Sequence, residues 1–351
     1  MLSRLALGVR PSRQLSIFVR EQAGEWVRGS DPVEQVIVCL GPDAVKSMTA
    51  LKSANELAAR TAGNTHVRAI HVPSSKKWRE DANVSNLLRK ATAVATDIDV
   101  LDGSRSVKKT IVSELNAQRP DLCVIGADSS SVGIFSTVRY VCDMAPCDVL
   151  VVRDDGFASL TSGEPMKALV CFGINDWEGS IEAFKAALRI AKRGDVIEAV
   201  HVVHLGGAVD GIFGPPMVAP KGNGTTEEKI AKALEMAMRQ ALADDSTCLT
   251  PGEVKISPVV LYAGIENPIK VLVDYAESSS ANLVSVGAGS IGRIFSPKNF
   301  SYYLTHKAPC SVLVARRTQQ QQSETKQETS NDSRSFYVED PQEWVRHKSF
   351  I

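Results

Sequence analysis

An internal repeat is the feature of this sequence that most constrains its fold. Its clearest mark is the tripeptide Ala-Pro-Cys, which opens an apolar run at 145–147 and again at 308–310. Each copy is preceded by another apolar run and a loop of small residues, which together span 122–131 and 281–293. The order strand, loop, helix, proline and strand, occurring twice, indicates a duplicated domain. The chain is therefore predicted to consist of two similar halves.

Length and charge limit the class of protein. A chain of 351 residues has room for two domains, each with its own core. Acidic and basic residues balance at 40 each, so the sequence supplies no basic field for nucleic acid or for an anionic membrane surface. No run reaches the roughly 18 apolar residues that a membrane span needs. We expect neither nucleic acid nor a membrane among the partners.

The seven cysteines are scattered, odd in number and without a CxxC spacing. Several lie in apolar runs, where a thiol behaves as a small apolar group. This pattern favours a reducing compartment over a disulfide framework or a zinc site.

The amino-terminal segment, residues 1–31, differs from the rest of the chain. Its first 20 residues contain four arginines, and the first acidic residue is Glu21. Such a composition is typical of a mitochondrial or plastid transit peptide, and residues 13–16 resemble a matrix-peptidase cleavage site. The alternative is an ordinary disordered terminus on a cytoplasmic protein. We expect a mitochondrial address, with the cytoplasm as the alternative.

Strand-like and helix-like patterns alternate between the termini. Apolar runs of strand length are separated by segments with apolar residues at helical spacing, and Asp43 is placed to cap the first helix. This order predicts an α/β fold in which each half is a doubly wound parallel sheet covered on both faces. The halves are predicted at 32–153 and 166–317, joined by a polar linker at 154–165.

Two segments are predicted to lie outside the sheets. Residues 205–224, rich in Gly and Pro, are longer than an ordinary loop, which predicts a lid or a disordered insertion. Residues 318–351 form a disordered tail rich in Gln and Ser with an aromatic end. That end, 335–346, repeats a Trp-containing pattern found at 16–28. We expect the two aromatic segments either to dock on equivalent grooves or to bind one external partner twice.

The loop after the strand at 283–286 has the composition of a phosphate site. The sequence Gly287-Ala-Gly289-Ser-Ile-Gly292 follows this strand and precedes a predicted helix. Backbone N–H groups in such a loop, together with a helix N-terminus, bind phosphate groups. The alternative is a tight turn in which glycine only permits a positive φ. The first half has serines at 129–131 in the corresponding loop.

Both halves resemble universal stress protein domains. The resemblance rests on Ile70-His71-Val72 and Val200-His201-Val202 in the second strand of each half and on the repeated Ala-Pro-Cys-x-Val-Leu-Val ending. It implies the doubly wound sheet shared with adenine nucleotide alpha hydrolases, and a pairing of the final strands that makes the chain an internal pseudo-dimer. It also implies a non-catalytic stress-response protein, since no catalytic triad, metal or Walker motif is recognisable.

Some members of that family bind ATP through Gly-x-x-Gly followed by Gly-Ser/Thr. Only the first part is kept here, and the acidic residue that ends the family's first strand is replaced by Gly41 and Gly173. The resemblance implies ATP or AMP in the second half, at the following residues: Gly287, Gly289, Ser290, Gly292, Ser301 and Val202. The alternative is a degenerate interaction scaffold with an unknown protein partner, and a homodimer is a further expectation.

Overall fold

The structure is a computed structural model, and it describes twelve segments of the chain: 33–61, 65–73, 82–93, 97–102, 106–127, 136–153, 164–173, 177–204, 226–244, 254–263, 267–288 and 300–316. Several predictions fall outside these residues and are not tested by them. They concern the leader, most of the linker, the insertion at 205–224, Gly289 to Gly292, and the aromatic tail.

In the described part of the first half, strands and helices alternate as β1 (Gln35–Leu40), α1 (Ala44–Arg60), β2 (His66–His71), α2 (Ala82–Thr92), β3 (Asp97–Val100), α3 (Val107–Gln118), β4 (Leu122–Ala127), α4 (Thr137–Met144) and β5 (Asp148–Arg153). The second half repeats this order as β6 (Lys167–Cys171), α5 (Trp177–Ile190), β7 (Val196–His204), α6 (Thr226–Asp244), β8 (Lys255–Ala263), α7 (Pro268–Ser278), β9 (Leu283–Gly287), α8 (Phe300–Lys307) and β10 (Ser311–Ala315).

All ten strands belong to one sheet with the order β3-β2-β1-β4-β5-β10-β9-β6-β7-β8. Within each half the strands are parallel, whereas β5 and β10 pair antiparallel. Leu150 pairs with Leu313, and these two leucines occupy the same position after Ala-Pro-Cys in their halves. A pseudo-twofold axis therefore passes through this pair. The predicted fold class, two doubly wound sheets joined through their final strands, is confirmed.

The apolar side chains form one core on each face of the sheet. The core on one face receives residues of α1, α2, α5 and α6, and the core on the other face receives residues of α3, α4, α7 and α8. Strands β5 and β10 contribute alternate residues to both faces, as period-two strands must. Each core therefore continues across the boundary between the halves.

Local signals explain where several helices begin and end. The Asp43 carboxylate accepts hydrogen bonds from the N–H groups of Val45 (2.9 Å) and Lys46 (3.1 Å), which confirms the predicted cap of α1. Helix α4 ends before Ala145, which is extended because it precedes a proline. The Ala-Pro-Cys tripeptide is thus a helix stop followed by a strand start.

The second strands of the two halves differ in length. His71 is the last residue of β2, whereas β7 continues past His201 to His204. The reason is pairing, because Val202, Val203 and His204 stay in register with Leu261, Tyr262 and Ala263 of β8.

Candidate functional site

The candidate site lies where the strand order of the second half reverses. From β6 the chain proceeds outward to β7 and β8, then crosses back to form β9 on the other side of β6. Open α/β sheets bind ligands in the crevice beyond the carboxyl ends of the strands at such a point. The residues that follow β6 and β9 therefore define the site, and the predicted glycine-rich loop begins there.

At the end of β6 the backbone is held by two side chains. The Gly173 N–H donates to Ser180 Oγ of α5 (3.0 Å), and His201 Nδ1 donates to the Phe172 carbonyl (2.8 Å). Burial lowers the pKa of His201, so the ring is neutral at pH 7. A Cβ placed on Gly173 would meet no atom of the described residues within 4 Å. The backbone at the end of β6 is thus held in place, and the described residues leave open space beside Gly173.

At the end of β9 the strand makes backbone contact with α5. A Cβ placed on Gly287 would lie 2.6 Å from the Gly179 carbonyl oxygen, and Ser285 Oγ donates to the Ala183 carbonyl (2.7 Å). Only a glycine permits so close an approach of helix and strand. Gly287 therefore draws the first turn of α5, the positive end of the helix dipole, to the edge where the loop begins.

Of the other residues predicted to bind the nucleotide, Val202 and Ser301 lie in the described part of the chain. Val202 is buried in β7 with 6% of its surface exposed, and Ser301 is buried in the first turn of α8 at 7%. Gly287 is the last residue of β9, and Val202 lies two residues before the end of β7; these two strands flank β6. Gly289, Ser290 and Gly292 lie outside the described residues, so their contacts remain predictions.

The first half has the same scaffold at the ends of β1 and β4. The Gly41 N–H donates to Ser47 Oγ (3.0 Å), and His71 Nδ1 donates to the Leu40 carbonyl (2.9 Å). A Cβ on Gly126 would lie 2.5 Å from the Lys46 carbonyl oxygen. The serine anchors were missed in the sequence, although a serine one helical turn into the first helix of both halves was a usable signal.

Comparison with solved structures accounts for this scaffold. A universal stress protein from Archaeoglobus fulgidus DSM 4304 superposes over 82% of this chain and 97% of its own, with a TM-score of 0.52 at 14% identity. The fold is that of the universal stress proteins. A protein of unknown function from Pseudomonas aeruginosa PAO1 superposes over 85% of this chain and 98% of its own, with a TM-score of 0.50 and 14% identity.

A further universal stress protein, solved in complex with cAMP, matches 35% of this chain and 98% of its own at 19% identity and a TM-score of 0.29. No protein-family model matches the sequence, and no curated protein matches it.

The universal stress protein fold brings residues of one half to the strand edge of the other. Because β5 and β10 are antiparallel, the carboxyl ends of the two sets of strands face opposite edges of the sheet. Arg153 follows the β5 core residues and donates to the Thr305 carbonyl of α8 (3.3 Å). The Arg316 N–H, just after β10, donates to Asp148 Oδ1 at the start of β5 (2.8 Å). Sequence reasoning missed both arginines.

Two classes of site find no support in the described segments. They contain no cluster of three or more His, Cys, Asp or Glu side chains placed to hold a metal ion. Among their helices, none is both long and apolar enough to cross a membrane.

Proposed function

We propose that this universal-stress-like protein acts by binding an adenine nucleotide, ATP or AMP, in its second half, and that it does so without turnover. The observation that carries the proposal is the open space at the switch point, above Gly173 and beside the first turn of α5. Open α/β sheets use this position for ligands, and a helix N-terminus favours phosphate there.

The phosphates and the adenine of a nucleotide can each be assigned to a region of the site. The phosphates would meet the loop 287–292 and the first turn of α5, which the contact between Gly287 and Gly179 brings together. The adenine would lie over the ends of β6 and β7, beside Val202. Gly173 leaves room at the position where the family has an acidic residue.

Binding without turnover is supported by the state of His201, a titratable group of the described residues beside the end of β6. His201 is 5% exposed, and its Nδ1 is engaged with the Phe172 carbonyl. A ring held in this way anchors the strand end and is poorly placed to exchange protons with a ligand. We infer that the nucleotide is held and sensed, and that a protein partner responds to its presence.

One observation favours the second candidate, an interaction scaffold without a nucleotide. Gly287 is explained by its packing against Gly179, and Gly126 makes the same contact in the half whose loop is rich in serine. One of the three loop glycines thus needs no ligand to account for it. The scaffold hypothesis predicts that neither half binds ATP.

A pair of gain-of-function variants separates the two candidates. Gly173→Asp places a carboxylate in open space, where it can accept hydrogen bonds from a bound nucleoside. We expect calorimetry to show ATP binding tightened by about tenfold, the effect of one charge-assisted hydrogen bond. Gly41→Asp is the matched control, because Gly41 has the same open space but is followed by the serine loop. We expect no change of ATP affinity in that variant.

Absence of ATP binding in the wild type and in both variants would favour the scaffold. Chromatography of the nucleotide after prolonged incubation tests turnover separately. We expect unchanged ATP, and release of ADP or AMP would contradict the non-catalytic assignment.

The cellular address rests on residues 1–20 alone. We propose that they direct the chain to mitochondria. A fusion of residues 1–30 to a fluorescent protein should then enter the organelle, and diffuse fluorescence in the cytosol would contradict this.

A further inference from the structure

We propose that the carboxyl edge of the first half binds an oxyanion of the phosphate class, anchored by Arg153 of β5 and completed by His306 of α8. The site is shared, because one half supplies the guanidinium and the other the imidazole. It lies at the opposite edge of the sheet from the proposed nucleotide site, so it does not depend on that proposal.

Arg153 is a buried cation with unused hydrogen-bonding capacity. The residue is 5% exposed, and its Nη1 donates to the Thr305 carbonyl at 3.3 Å. Its Nε is fully buried and has no acceptor in the described part of the chain. Leaving a buried charged donor without an acceptor is costly, so the Nε group requires an explanation, of which a bound anion is one.

The surroundings of Arg153 are positive. His306 is close enough to Arg153 for the guanidinium to act on its titration, and its Nδ1 is a second buried polar atom without a partner in the described segments. Burial, and then the charges of Lys307 and Arg153, all lower the pKa of His306. No carboxylate of the described residues forms an ion pair with Arg153 or His306. Three basic groups therefore face this edge without a counter-charge from the described segments.

The pseudo-twofold supplies a direct comparison at Arg316, which corresponds to Arg153. Asp143 of α4 stands where α8 has His306, and Asp148 stands where β10 has Ser311. Both carboxylates are close enough to Arg316 for its charge to oppose the rise in their pKa that burial causes. Asp148 also pairs with Arg189 of α5. Both arginines keep buried guanidinium nitrogens without a hydrogen-bond partner, Nε in Arg153 and Nε and Nη2 in Arg316. They differ in the charges around them, because two carboxylates act on Arg316 and no described carboxylate forms an ion pair with Arg153.

An external oxyanion would supply the missing charge. Arginine binds phosphate through charge-assisted hydrogen bonds, and the neutral His306 imidazole can donate a further hydrogen bond to the same oxyanion. A lone buried guanidinium lowers stability, and an apolar replacement of similar size is often neutral or stabilising. We therefore infer that Arg153 serves ligand binding at some cost to the stability of the ligand-free protein.

The test uses the full-length protein, with inorganic phosphate as the probe, in a buffer without other oxyanions. Calorimetry and thermal unfolding should show saturable phosphate binding to the wild type. Arg153→Met should weaken binding by at least about tenfold, the share of one charge-assisted contact. Arg316→Met, the matched control, should keep wild-type affinity. Without phosphate, Arg153→Met should unfold no earlier than the wild type.

A second variant keeps the test decisive if Arg153→Met does not fold. It gives His306 the residue found at the equivalent position of the first half, Asp143. His306→Asp gives Arg153 the carboxylate that Arg316 already has, so phosphate binding should be lost while the protein gains stability. The proposal is overturned if phosphate does not bind to the wild type, if Arg153→Met and Arg316→Met lose binding equally, or if His306→Asp binds phosphate as the wild type does.

Discussion

The two halves share a backbone and differ in their buried charges. Both have the same strand order, the same serine anchor after the first strand, and the same close packing of a glycine against the first helix. Where they meet, however, Asp143 and Asp148 of the first half correspond to His306 and Ser311 of the second. The comparison teaches that the apolar and glycine positions shared by the halves specify the fold. A few polar positions that differ between the halves set the charge at each of the two edges of the sheet.

A second asymmetry links the halves on the face that α1 and α5 cover. Arg60 of α1 donates to Asp195, just before β7, at 2.6 Å, and both side chains are almost fully buried. Asp195 also accepts from the N–H groups of Met166 and Lys192, both at 2.7 Å. The residue that corresponds to Arg60 in the second half is Arg193, which lies just after α5 and is exposed. Within the described residues this buried ion pair therefore has no symmetric copy.

The largest expected effect comes from breaking this buried pair. Asp195→Ala removes the carboxylate that accepts from Arg60 Nη2 and from two backbone N–H groups, so the free energy of unfolding in urea should fall by about 3–5 kcal/mol. Arg193→Met, at the equivalent exposed position, should change it by less than about 0.5 kcal/mol. Equal effects of the two substitutions would contradict the one-sided interface.

The next effect tests the feature that the halves share. Gly126→Ala and Gly287→Ala each place a Cβ within 2.6 Å of a helix carbonyl oxygen, so both should destabilise the protein by about 1–3 kcal/mol. Gly41→Ala and Gly173→Ala are the controls, since a Cβ there meets nothing within 4 Å. Thermal unfolding of the four variants gives the answer. A harmless Gly126→Ala or Gly287→Ala would mean that helix and strand are not in contact.

A smaller effect concerns pH. The pKa of His201 in the folded protein is lowered by burial, below about 6.5 in the unfolded chain. Its contribution to stability is therefore fully present above that value and is lost as the pH falls through the window between the two. His201→Gln can keep a donor to the Phe172 carbonyl but cannot become charged.

The stability of the His201→Gln variant should therefore fall less between pH 7 and acid pH than that of the wild type, as measured by urea unfolding across the pH range. An equally steep fall would show that His201 is not buried in its neutral form.

The smallest expected effect concerns the buried cysteines, whose thiols should not be alkylated in the folded protein. Burial raises the pKa of the thiols of Cys142 and Cys147 to about 12, so they should resist alkylation at pH 8 until the chain unfolds. A Cys248→Ser background removes the one cysteine outside the described residues. Mass spectrometry after brief iodoacetamide treatment measures the labelling. Rapid modification of either thiol in the native protein would show that its core opens.

Features that depend on neighbours along the chain could be predicted from the sequence. The Asp43 cap, the stop at Ala-Pro-Cys and the alternation of strands and helices are all local patterns. The pairing of β5 with β10 followed from the resemblance. Ser47 and Ser180 were missed although their shared position in the first helix of each half was a usable signal. The Arg60–Asp195 pair could not be predicted, because its two residues lie 135 positions apart and meet only where the two halves pack together. The burial of Arg153 could not be predicted either, because the residue that it contacts, Thr305, belongs to the other half.

The glycine loop shows the limit for the site itself. The glycine pattern of the loop suggested that Gly287 contacts a phosphate group, whereas the structure shows that Gly287 packs against the backbone of Gly179. A close approach of two backbones separated by a hundred residues leaves no signal in either segment. The other loop residues, Gly289 to Gly292, remain predictions made from the sequence.

The central claim is that one chain with two similar halves holds a single nucleotide, in the second half. The most direct measurement is a calorimetric titration of the full-length protein with ATP, in saturating inorganic phosphate so that the proposed anion site is filled. We predict one ATP per chain, binding lost in Gly289→Val and kept in Asp128→Val, the corresponding position of the first half. Two equivalents per chain, no binding, or equal loss in both variants would contradict the account.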